Sequence, residues 1–147
     1  MFIQSFFGGT MRVFLGGTAN SEWRKSVMNK LGRNCISYYD PRFRDWEHIE
    51  LSKERIERKK ADILWYVITP STLGFYPISA AIEDSILHPG KVVFCSLKED
   101  QGQVFSIVEQ KSLDRVGCLM RKRGCRVMTG LSDLDLPLEY VINRAKK

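Results

Sequence analysis

Residues 63–68 read Ile-Leu-Trp-Tyr-Val-Ile, an unbroken apolar run rich in β-branched and aromatic residues. It leaves no position for a polar face, and so describes a strand covered on both sides of a sheet. Thr69-Pro70 ends the run, because proline cannot donate to a ladder and holds the residue before it out of helix. A polar loop containing Gly74 follows. A helix is then expected to begin near Pro77 or Ser79, with Glu83 and Asp84 in its second turn. In an open α/β sheet, ligands bind outside the carboxyl ends of the strands, which is where this loop lies. The plainer alternative is a single βα unit whose acids face solvent.

The remaining chain repeats the alternation. Residues 11–15 form a short apolar strand, followed by Gly16-Gly17-Thr18 and a helix over 21–31 with Ser21 as N-cap and Gly32 as C-cap. Residues 34–39 form a second strand ending in the turn Asp40-Pro41. An aromatic and charged loop containing Trp46 leads to a helix over 49–60, where Glu54 and Arg58 at i,i+4 suggest a solvated charged face. A fourth strand is expected over 91–97, then a polar loop. A helix over 104–123, broken near Lys111-Ser112, is followed by a strand over 125–128 and a helix over 134–145 capped by Ser132 or Asp133. Five strands alternating with helices define a flavodoxin-like, doubly wound α/β fold with a mostly parallel five-stranded sheet, helices on both faces, and the order 2-1-3-4-5. Residues 1–10 are expected to be an N-terminal extension and residues 11–147 the domain.

At 147 residues the chain has room for one core. No apolar run reaches the ~20 residues that span a bilayer, and residues 1–10 lack the basic region of a signal peptide, so a cytoplasmic location is expected. Cys35, Cys95, Cys118 and Cys125 form no CxxC pair and there are two histidines, a poor donor set for a metal. The net charge of +6 suits phosphate-bearing ligands or nucleic acid, although the charges are mixed along the chain.

In the 2-1-3-4-5 order the switch point lies between the first and third strands. The Gly16-Thr18 turn and the Thr69-Tyr76 loop meet there, with Asp40-Pro41 nearby. Adjacent glycines let a ligand approach the backbone, and the following helix N-terminus favours an anion. The pattern is neither a GxGxxG nor a Walker loop.

The segments VFLGGTAN with SEWR, YYDPRFRDWEHIE, and ADILWYVITPSTLGFYPIS with GKVVFC together resemble the nucleoside 2-deoxyribosyltransferase-like family. The resemblance covers most of the chain from Met11 onward. It implies a flavodoxin-like fold that binds a nucleoside or nucleotide, cleaves the N-glycosidic bond, and passes the sugar to another base or to water. It further implies a homo-oligomer and no cofactor. The chemistry needs a carboxylate that attacks C1′ and an acid that protonates the departing base. The resemblance places the nucleophilic Glu early in the helix after the Gly-Tyr loop, near Ala80 or Ala81. This chain has alanines there, so Glu83 and, behind it, Asp84 are the catalytic candidates. Gly16, Gly17 and Thr18 would line the sugar or phosphate, and Asp40 with Pro41 the base or a hydroxyl. Thr69, Thr72, Tyr76 and Ser79 are loop and helix-start candidates, Tyr76 being alternatively a packing residue. Trp23 and Trp46 would stack on a base or belong to the core. Arg24 would meet a 5′-phosphate or lie on the surface. Asp62, at the amino end of its strand, reads as structural.

Two other readings belong to different classes. One is a non-catalytic nucleotide-binding protein on the same fold. The other is nucleic-acid binding through the basic residues 121–126 and Lys59-Lys60, which would lose affinity steeply with salt.

Overall fold

The computed structural model describes residues 11–42 and 48–147. Residues 1–10 and Trp46 lie outside the described residues. The parallel sheet has the order β2-β1-β3-β4-β7: β1 is Arg12–Gly17, β2 Ser37–Tyr39, β3 Ile63–Ile68, β4 Val92–Leu97 and β7 Arg126–Leu131. The helices are α1 (Trp23–Arg33), α2 (His48–Lys60), α3 (Tyr76–Leu87), α4 (Ile107–Lys122) and α5 (Asp135–Ala145). This is the doubly wound, flavodoxin-like arrangement expected from the alternation of strands and helices, with β3 at the centre. Among the described residues, no helix is long and apolar enough to cross a membrane.

Strand period two divides β3 between two cores. Ile63, Trp65 and Val67 pack with Val13, Leu15, Val27, Leu31 and Val141 on the α1 and α5 side. Leu64, Tyr66 and Ile68 pack with Phe14, Ala80, Ala81, Phe94 and Met120 on the α3 and α4 side. All six residues of β3 are buried, which is why the run carries no polar position. Asp62 is structural: its Oδ2 accepts from the Arg12 backbone N–H at 2.9 Å, and the Asp62 N–H returns to the Arg12 carbonyl at 2.9 Å.

Several local expectations are corrected. Residues 98–104 contain a small antiparallel hairpin, β5 (Glu99–Asp100) with β6 (Gln103–Val104). Its turn uses Gln101 and Gly102, both at positive φ. α4 starts at Ile107, where Ser106 Oγ accepts from the Glu109 N–H at 3.1 Å, and continues through Lys111-Ser112 without a break. α1 extends past Gly32 to Arg33, so the left-handed turn after it falls on Cys35 at φ +57°. Cys35 is consequently exposed rather than part of a strand. The largest correction concerns α2. Glu54, Glu57 and Arg58 are buried, at 3 %, 8 % and 5 % exposure, so the charged face read as solvated points inward.

Candidate functional site

β1 and β3 run side by side with Gly16 opposite Tyr66 and Gly17 opposite Val67. Each glycine is needed for a different reason. A Cβ on Gly16 would sit 2.5 Å from the Tyr66 ring. Gly17 has φ +115°, and a Cβ there would lie 2.0 Å from the Val67 carbonyl oxygen, so the turn that ends β1 tolerates no side chain. The bare backbone opens a narrow cleft of about 40 Å³ at the switch point. Its walls are Phe14, Gly16, Gly17 and Ala19 from β1 and its turn, Arg24 from α1, and Pro41 and Arg42 after β2. Glu54 from α2, Tyr66 from β3, and Tyr76, Pro77 and Ala80 from α3 complete them. Five elements and the loop after β2 thus converge where the strand order predicts a site.

The turn itself is tied down by hydrogen bonds. Arg24 is 1 % exposed. It donates Nε to the Leu15 carbonyl at 2.9 Å, Nη1 to that of Thr18 at 2.7 Å, and Nη2 to that of Gly17 at 3.2 Å. Burial lowers its pKa to about 10, against the attraction of Asp40. Arg24 is therefore a buried brace for the turn and not the surface arginine of the alternative reading. Trp23 packs on Trp65 with ring centroids 6.1 Å apart and donates Nε1–H to the Thr18 carbonyl at 3.1 Å; it belongs to the core of the α1 face.

Thr18, Thr69 and Thr72 form a second clasp. The Thr18 hydroxyl bonds to that of Thr72 and accepts from the Thr69 backbone N–H at 2.9 Å. Thr69 Oγ1 donates to Asp100 of the hairpin at 2.6 Å, and Asn20 Nδ2 donates to the Ser71 carbonyl at 2.5 Å. These bonds hold the two loops together behind the cleft. Ser79 is exposed.

The candidate acids lie in distinct environments. Asp84 is buried and fully engaged. Arg58 donates Nη2 to its Oδ1 at 2.8 Å and Nε to its Oδ2 at 3.0 Å, and the Tyr66 hydroxyl donates to Oδ2 at 2.5 Å. Glu83 has a side chain 58 % exposed and accepts from Arg58 Nη2 at 2.7 Å. Arg58 also donates to the Ala80 carbonyl at 3.3 Å and to the Tyr76 hydroxyl at 3.5 Å. Burial opposes its charge, but Asp84, Tyr66 and Glu83 outweigh that and raise its pKa. Ala80 lines the cleft three residues before Glu83; the offset is about 300° around the helix, enough to move a side chain to a neighbouring row.

Glu54 was not among the sequence candidates. It lines the cleft, and its Oε2 is buried without a hydrogen-bond partner among the described residues. Burial is the largest influence on it and raises its pKa, against the charge of Arg58 and a hydrogen bond with Tyr76. A buried carboxyl with a free oxygen in a concave site favours the protonated form. One sequence signal pointed to it. Glu54, Glu57, Arg58 and Ala61 have the i, i+3, i+4, i+7 spacing of a buried face, and all four are buried.

Asp40 lies between two cations. Arg42 donates to it at 2.8 Å through Nη2, and Arg24 Nε lies 3.6 Å from its Oδ1.

A comparison with curated proteins gives no match. The profile of the family described as nucleoside 2-deoxyribosyltransferase like matches residues 10–101, which include β1 to β4 and every wall of the cleft. With more than half of its length matched and the strand order to go with it, the chain belongs to the nucleoside 2-deoxyribosyltransferase-like family.

Proposed function

We propose that this protein binds a 2′-deoxynucleoside or its monophosphate in the cleft between β1 and β3 and breaks the N-glycosidic bond there by acid-assisted departure of the base. The observation that carries the reading is Glu54, a buried carboxyl in the cleft wall with an oxygen that has no partner among the described residues. A nucleobase leaves poorly as an anion, so a proton must reach one of its nitrogens as the C1′–N bond opens. Glu54, whose protonated form burial favours, supplies that proton. The incoming water or second base gives its own proton to the Glu54 carboxylate as its oxygen or nitrogen bonds to C1′, which restores the acid.

A covalent route adds a nucleophilic carboxylate that attacks C1′ before the acceptor does. Glu83 is our candidate for it, and to reach the cleft it must leave Arg58. Asp84 comes second, because its oxygens already accept three hydrogen bonds.

Base release from a panel of deoxynucleosides and their monophosphates, followed by chromatography, tests the reading. Release abolished in Glu54→Gln and retained in Glu83→Ala identifies acid-assisted cleavage that does not use Glu83, with Asp84 next in line as nucleophile. Loss in both variants supports the covalent route. Release unaffected by Glu54→Gln would sink the assignment of the acid.

One observation favours a second reading. Ala80 lines the cleft in the part of α3 where the resemblance calls for the nucleophile. A protein that holds its ligand without cleaving it would bind a nucleoside tightly and release no base from any member of the panel. We also infer a homo-oligomer, which light scattering on the purified protein tests directly.

A further inference from the structure

The cleft holds two arginines with different duties. Arg24 is committed through Nε, Nη1 and Nη2 to the carbonyls of Leu15, Thr18 and Gly17. Arg42, at the mouth, has a side chain 32 % exposed. Asp40 holds it by Nε at 3.1 and 3.0 Å and by Nη2 at 2.8 Å, while its own backbone N–H donates to Asp40 Oδ1 at 3.1 Å. Among the described residues Nη1 has no partner, so Asp40 fixes the plane of the guanidinium and leaves donors unused. The only carboxyl in the described wall is Glu54, whose proton burial favours. Two cations therefore face one acid whose charge burial disfavours, and Asp40 offsets part of the remaining charge. A neutral ligand would leave that imbalance as it is. A phosphomonoester would correct it, and it matches the fork of a pre-oriented guanidinium better than an ammonium could.

We propose that the ligand of the cleft is a nucleoside 5′-monophosphate whose phosphate is received by Arg42. This rests on the nucleoside reading above and narrows it to the phosphorylated class. It also assigns the phosphate contact to Arg42, because Arg24 is occupied within the fold.

Calorimetric titration of the intact chain with paired ligands tests this, each 2′-deoxynucleoside alongside its 5′-monophosphate. The parent should bind the monophosphate at least about tenfold more tightly, the scale of a charge-assisted contact. The preference should disappear in Arg42→Ala, be partly kept in Arg42→Lys, and weaken as salt rises. Equal affinity for the two ligands, or a preference that survives Arg42→Ala, would overturn the proposal while leaving the nucleoside reading intact. Binding with the expected preference but no base release would remove the proposed chemistry and leave the phosphate contact standing. If no ligand of either class binds, both fail.

Discussion

Glu54 is the residue on which the proposed chemistry turns. If it is the acid, Glu54→Gln should lower base release by about two to four orders of magnitude, the usual scale of general acid catalysis, without unfolding the chain. Its pKa is raised in the fold, so base release by the parent should fall as pH rises through that value. The same shift fixes a sign for stability. A carboxyl with a raised folded pKa contributes stability at pH below its unfolded pKa and loses it as pH rises through the folded one. The melting temperature of Glu54→Gln should therefore rise relative to the parent across that window. A constant difference between the two proteins would mean that Glu54 does not titrate as its burial requires. The glycines of the turn separate at the same scale. Gly17→Ala should destabilise by at least ~2 kcal/mol, because it adds a side chain at positive φ against the Val67 carbonyl. Gly16→Ala meets the Tyr66 and Phe14 rings and no backbone atom among the three nearest; in a ligand titration it should weaken binding more than a denaturant melt shows it weakening the fold.

Among the elements, α2 carries the most unusual arrangement. Its inward face sets Arg58 against Asp84 and Glu83 of α3, and through the Tyr66 and Tyr76 hydroxyls it reaches two walls of the cleft. Removing one partner of a buried ion pair leaves the other charged and dry. Arg58→Met should accordingly cost about 3–5 kcal/mol in chemical denaturation, and Arg58→Lys should recover part of that. The i,i+4 relation of Glu54 to Arg58 was legible in the sequence, but its direction was not. The same spacing serves an exposed helix face or an inward one, and Asp84, which decides between them, lies 26 residues from Arg58. α1 carries the converse lesson. Arg24 reads as a ligand-facing or surface cation, yet the turn presents three backbone carbonyls to it, an arrangement that no local pattern announces.

For the whole molecule, the doubly wound sheet brings β1 and β3 together as neighbours and sends their following helices to opposite faces, opening the cleft between their carboxyl ends. From the sequence alone, we propose that residues 1–10 are an N-terminal extension of the domain. Deleting them should move the melting temperature by less than about 2 °C, well under 1 kcal/mol for a chain of this size. A larger loss would make those residues part of the domain.

By itself the sequence determined the fold class and the strand order, and it pointed to the end of the sheet where we propose that a ligand sits. Those follow from short-range patterns: the apolar run of β3, the Gly-Gly turn and the alternation of strand with helix. Only the tertiary structure decided which polar residues face the cleft. It turned Glu54 inward, engaged Asp84 and Arg24 elsewhere, and left Arg42 at the mouth with donors to spare. The physical reason is that burying a charge is tolerable only with partners, and here those partners come from elements far apart in the chain.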